Sequence, residues 1–150
     1  MRRQRGFSYV VVMFLVAVLS IASARALENS MMTERRRKEA QLLRVGQIYR
    51  DAIRDYYIGT QGSAKQLPKT VDDLLLDVRS GALRRPLRKR YRDPITDATQ
   101  WGAIYKDERL IGVYSLSPLR PLKRDGFAPE QKGFNHAATY QDWRFIYEPW

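Results

Sequence analysis

The chain has 150 residues, 44% of them hydrophobic, with 27 Lys or Arg against 16 Asp or Glu and no cysteine. That length holds one modest domain plus an N-terminal element, and the lack of cysteine excludes a disulfide framework, thiolate zinc sites and a cysteine nucleophile. A net charge of +11 directs attention to anionic partners such as lipid headgroups or nucleic acid, and says nothing about fold.

Arg2, Arg3 and Arg5 precede a Gly6-Phe7 step, and Phe7 to Ala24 then runs without a charge or a proline. As a helix rising about 1.5 Å per residue this stretch reaches about 27 Å, close to the roughly 30 Å hydrocarbon core of a bilayer. Residues 7–25 therefore read as a transmembrane segment, with Arg25 snorkelling outward. The basic cluster on its short side predicts a cytoplasmic N-terminus and an exported remainder. A second reading stays open at this point: Ala22-Ser23-Ala24 and Ala24-Arg25-Ala26 are small-x-small patterns of the kind signal peptidase cuts after, which would release a soluble periplasmic protein.

Residues 26–58 contain no proline and one glycine, Gly46. Leu42, Val45, Tyr49, Ala52, Ile53 and Tyr56 recur at steps of three and four, which predicts an amphipathic helix whose stripe needs a partner. Glu34 with Lys38 and Arg35 with Glu39 are spaced to support a solvated helical stretch before the stripe. Phe7 to Ile58 can thus be one helix of roughly 78 Å, ended by Gly59 and the turn residues of "TQGSA". Tyr49, Tyr56 and Tyr57 read as core because aromatic residues at helical spacing usually are.

Residues 59–150 read as a small α+β head. In "LPKTVDDLLLDVRSG" a short helix is expected, capped by Thr70, with Asp72 and Asp73 in its first turn and Gly81 after its end. "RRPLRKRYR" (84–92) and "DPITDATQ" read as irregular. "WGAIY" (101–105) and "LIGVYSL" (110–116) are β-prone runs joined by "KDER", and "DWRFIY" (142–147) alternates like a third strand. Three antiparallel strands need one face covered, and the helical stripe is the available cover.

This order of parts resembles the type IV pilin-like proteins, and more narrowly the pseudopilins of bacterial type II secretion systems. The resemblance rests on Gly6-Phe7 with the helix that follows, supported by "YRDAIRDYY", "LPKTVDDLL", "RDPITDATQWG" and "GVYSLSP". It implies a leader of residues 1–6, prepilin peptidase cleavage after Gly6, N-methylation of Phe7, and a retained apolar helix that anchors the chain in the inner membrane and packs into a filament. It also implies other pilin-like subunits and an inner-membrane assembly platform as partners, a periplasmic head, and a structural part in protein secretion rather than an enzymatic one, with no cofactor. Two departures stand out. The family usually carries a glutamate five residues into the mature chain, where this sequence has Val11; a carboxylate at that depth is costly unless a neighbouring amine meets it, so its absence suits a minor or tip subunit. The loop that binds calcium in major pseudopilins here reads "SPLRPLKRDGF", too basic for such a site.

The basic runs "ERRRKE" (34–39) and Arg84, Arg85, Arg88, Lys89, Arg90 and Arg92 form a second theme, and 24 basic against 16 acidic residues still leave +8 after the leader is removed. The first run lies where the helix would meet anionic headgroups. The second reads first as a solvated face or a basic partner surface, with a DNA-binding subunit of an uptake system as the alternative and Tyr91 to stack bases. His136 is the only histidine, and Ser115 or Ser117 with His136 lacks the setting of a nucleophile, so neither a metal site nor a catalytic triad is expected.

Overall fold

The computed structural model describes residues 5–60, 65–79 and 83–149. Arg2 and Arg3, the turn expected at 61–64, and Gly81 lie outside them. Helix α1 runs Arg5–Ile58, and the chain divides into two compact units, Met1–Arg37 and Lys38–Trp150. In the first unit, the described helical residues from Phe7 onward are exposed with few exceptions.

The second unit is an α+β arrangement. A short helix α2 (Asp72–Leu75) is followed by strands β1 (Gly102–Lys106), β2 (Arg109–Tyr114) and β3 (Phe145–Ile146), in the sheet order β1-β2-β3 with both pairings antiparallel. The central strand buries four residues in a row, Leu110 to Val113. Against the sheet lies the stripe of α1: Leu42, Val45, Tyr49, Ala52, Ile53 and Tyr56 are all buried. Each buried Leu, Ile or Val of this kind contributes about 1.5–3 kcal/mol. Gly46 lies on the same face and the Phe145 ring takes the space a side chain would need there. The core is completed by Trp143 and Phe134, stacked with ring centroids 5.7 Å apart, and by Phe127 and Tyr140 edge-on to Trp143.

Local details differ from the sequence reading. The β1–β2 connection is a two-residue turn, with Asp107 and Glu108 both at positive φ (51° and 59°). Lys106 and Arg109, expected in the loop, instead pair across it. These are the left-handed conformations that let a tight hairpin follow the sheet twist, and neither residue is the glycine or asparagine that adopts them at least cost. Helix α2 is one turn long and starts after Val71, without a side-chain cap from Thr70. Its lead-in is fixed in reverse: the Asp73 carboxylate accepts the amides of Lys69 and Thr70 (2.8 and 3.0 Å).

Candidate functional site

The N-terminal segment carries the processing and anchoring residues read from the sequence. The Gly6–Phe7 bond lies at the start of α1, with Phe7 76% exposed and Val11 41% exposed. Among the described residues this is one helix long and apolar enough to cross a membrane, with a mean hydropathy of 2.4 over its most apolar window and none of that window buried. Two of its hydroxyls are satisfied within the helix: Ser20 donates to the Val16 carbonyl and Ser23 to that of Leu19, both at 2.8 Å. Hydroxyls used in this way need no water, which is what an apolar surrounding demands.

The basic segment 84–92 is built into the second unit at several points. Asp77 and Arg84 form an antiparallel bridge (2.8 and 3.0 Å). Leu87 is buried in the core, and its amide donates to the Leu74 carbonyl at 2.8 Å. Tyr91 donates its amide to the Tyr49 hydroxyl (3.1 Å), and its carbonyl accepts from the Trp101 indole (2.8 Å). The Tyr91 ring is half-buried, edge-on to Tyr49 at 6.3 Å and faced by the Lys89 ammonium at 5.3 Å. Tyr91 is therefore not the exposed stacking platform the sequence suggested; the tyrosine belongs to the packing around α1. Burial also pushes the Tyr49 phenol up from its ordinary value.

The six basic side chains of this segment are all exposed. Arg84 donates to the Gly59 carbonyl (3.2 Å), Arg90 pairs with Asp72, and Arg92 pairs with Asp97 (3.5 Å). The Asp72 hydrogen bond raises the Arg90 guanidinium further above its ordinary value. Arg84 and Arg85 also line an open cleft of about 620 Å³ with Asp55, Gly59, Thr60 and Asp77.

Beside this segment sits a group that sequence reading missed. Arg79 lies with its guanidinium 3.4 Å from the centroid of the Tyr56 ring, donates to the Tyr56 carbonyl (2.9 Å) and to Thr60 Oγ1 (2.8 Å), and forks onto Asp77 through two bonds of 2.8 Å. Helix α1 has no basic residue in its own last turn, and Arg79 and Arg84 bring positive charge to its carbonyl end from outside. Gly59 does not take the left-handed backbone expected of a terminating glycine; a side chain there would meet the Arg84 guanidinium.

The Arg79 hydrogen bonds hold the Asp77 carboxyl below its ordinary range. A carboxylate lowered in the folded state adds stability above its unfolded pKa of about 3.9, and that stability is lost as pH falls through the lower folded value. Asp77→Asn is accordingly expected to cost about 1–2 kcal/mol at neutral pH. In urea unfolding followed by tryptophan fluorescence, the gap between variant and wild type should close as the solution is acidified. A gap independent of pH would show that the ionised form carries no special weight.

Glu39 is the second group that was missed. Expected on a solvated face, it is 4% exposed. Its carboxylate accepts the amides of Leu122 (2.8 Å) and Lys123 (3.0 Å) and the Tyr140 hydroxyl (3.3 Å). The loop after β2 is thus fixed by a helix carboxylate, and further by the Tyr140 amide on the Leu119 carbonyl (3.0 Å). The available signal was position: Glu39 stands three residues before Leu42, on the stripe's own period.

Ser115 donates to the buried Asp93 carboxylate at 2.6 Å and its oxygen accepts the Ser117 amide at 3.2 Å, so both serines serve the chain path. His136 lies on the surface, 3.4 Å from Asp125. Among the described residues no group of three or more His, Asp or Glu side chains is placed to hold a metal ion. Comparisons with protein-family models, with curated proteins and with solved structures found no match to this chain.

Proposed function

We propose that the chain is a pseudopilin subunit of a type II secretion system or a related pilus-like filament, a structural part of an export machine and not an enzyme. The observation that carries this reading is one uninterrupted helix, α1, whose first part is apolar and exposed while its last part is buried against a three-stranded antiparallel sheet. A discarded signal has no need to continue in helical register into the core of the mature domain. In this reading Gly6 and Phe7 are the residues the prepilin peptidase acts on, the helix after Phe7 anchors the chain in the inner membrane and packs against neighbouring subunits, and the second unit faces the periplasm. Val11 leaves the neighbour's terminal amine without a carboxylate, which suits a minor or tip subunit.

The test is the intact mass and N-terminal sequence of the protein from the membranes of its host. A start at N-methylated Phe7 supports the reading; a start at Arg25 or Leu27 overturns it in favour of a conventional signal and a soluble periplasmic product. Gly6→Leu should leave the leader attached, since the residue before the cut must be small to enter the peptidase, and the unprocessed form should accumulate as a band heavier by the leader. Normal processing of that variant would count against the assignment.

A further inference from the structure

Only part of the positive charge at residues 84–92 is used by the fold. Arg84, Arg90 and Arg92 each have a partner, whereas the guanidinium groups of Arg85 and Arg88 make no ion pair or hydrogen bond with any described residue, and the Lys89 ammonium meets only the Tyr91 ring. An ordinary solvated charge run relieves its repulsion by moving apart. This one has little freedom to do so, because Leu87 is sunk in the core between the charges, and the bridge at Arg84 and the two bonds at Tyr91 fix both ends. Three like charges thus stand within five residues of fixed backbone, and among the described residues none of the three is in an ion pair, Arg85 only sharing its cleft with Asp55 and Asp77.

We propose that Arg85, Arg88 and Lys89 form a docking surface for an acidic segment of a partner protein. Guanidinium groups take carboxylates through two parallel hydrogen bonds, and a segment already held in place has less entropy to lose on binding. Two observations favour discrete protein carboxylates over a nucleic acid. The one aromatic ring in the segment is half-buried, edge-on to Tyr49 and approached by Lys89, so it is not free to stack as an exposed ring would be. Asp72 and Asp97, drawn in by Arg90 and Arg92, interrupt the positive field that a continuous phosphate backbone would follow. This surface is independent of filament assembly and of how the N-terminus is processed.

The experiment uses the full-length chain in detergent micelles and a fluorescein-labelled polyglutamate peptide as probe, with a short DNA duplex and the corresponding single strand alongside. Changing Arg85, Arg88 and Lys89 together to glutamate is expected to weaken peptide binding about tenfold or more. The charge-matched control, Arg36, Arg37 and Lys38 to glutamate, should change it by less than about twofold. A milder set, the same three head residues to glutamine, should fall between, and an unchanged urea transition confirms that each variant is folded. Equal losses from the head and control variants would mean attraction by net charge alone and overturn the proposal. So would tighter binding of either DNA probe than of the peptide, with a steeper salt dependence.

Discussion

Replacing Gly46 by leucine is expected to unfold the second unit, and even Gly46→Ala should destabilise it by about 1–3 kcal/mol. In an exposed helix the opposite sign holds, because alanine is favoured over glycine by roughly 0.5–1 kcal/mol. Here the Phe145 ring lies where a Cβ of residue 46 would be, and that ring is 1% exposed in the centre of the core. Any side chain must push the ring out of a close-packed site, and complete expulsion approaches the roughly 3–5 kcal/mol of a Phe→Ala change. The check is a double-mutant cycle in denaturant, with Gly46→Ala, Phe145→Leu and the pair. The pair should be less damaged than the sum of the single changes by about 1 kcal/mol or more, since the smaller side chain makes the room the new methyl needs. Strict additivity would show that the helix and β3 do not depend on that close approach.

Glu39→Ala is expected to cost about 3 kcal/mol and to open the loop after β2. The carboxylate accepts two backbone amides and a tyrosine hydroxyl, and hydrogen bonds to a charged group are worth about 1.5–3 kcal/mol each, before the amides left behind recover part of the loss from water. Glu39→Gln retains one acceptor oxygen and the side-chain volume, so its loss should be roughly half as large. Limited trypsin digestion gives a local readout. In the variant, cleavage after Lys123 and Arg124 should become the first nick, while Arg120 stays protected by the proline that follows it. If Glu39→Ala leaves both the cleavage order and the unfolding midpoint unchanged, the loop is held by its other contacts.

The face that α1 buries was legible because it depends on period alone: Leu42, Val45, Tyr49, Ala52, Ile53 and Tyr56 announce it, and all six are in the core. The three strands were legible from their β-prone runs, although the third shrinks to Phe145–Ile146, with Tyr147 just beyond it still donating its amide to the Ile111 carbonyl. What stayed hidden was every polar group whose partner is remote. Glu39 looks like one more charge in "ERRRKE", and its acceptor role exists only because residues 122 and 123 return to it. Arg79 looks like a solvated arginine until Asp77 and the end of α1 are placed beside it. Tyr91 erred in the other direction, since nothing local reveals that Tyr49 binds its backbone. The processing step at Gly6-Phe7 rests on resemblance alone.

The reach of these contacts along the chain also sets a timetable for biogenesis. Arg50 of α1 donates to the Ile146 carbonyl, a separation of 96 residues, and Glu39 meets Tyr140 across 101. A ribosome adding about 5–20 residues per second needs roughly 5–20 s between making the helix and making the strand that closes over it. For that interval the part of α1 that receives Phe145 is uncovered, and a chain with such distant pairings folds slowly once complete. The newborn helix is therefore a sticky intermediate by design of its topology, and whatever shields that stripe during synthesis bears directly on how much of the protein survives to fold.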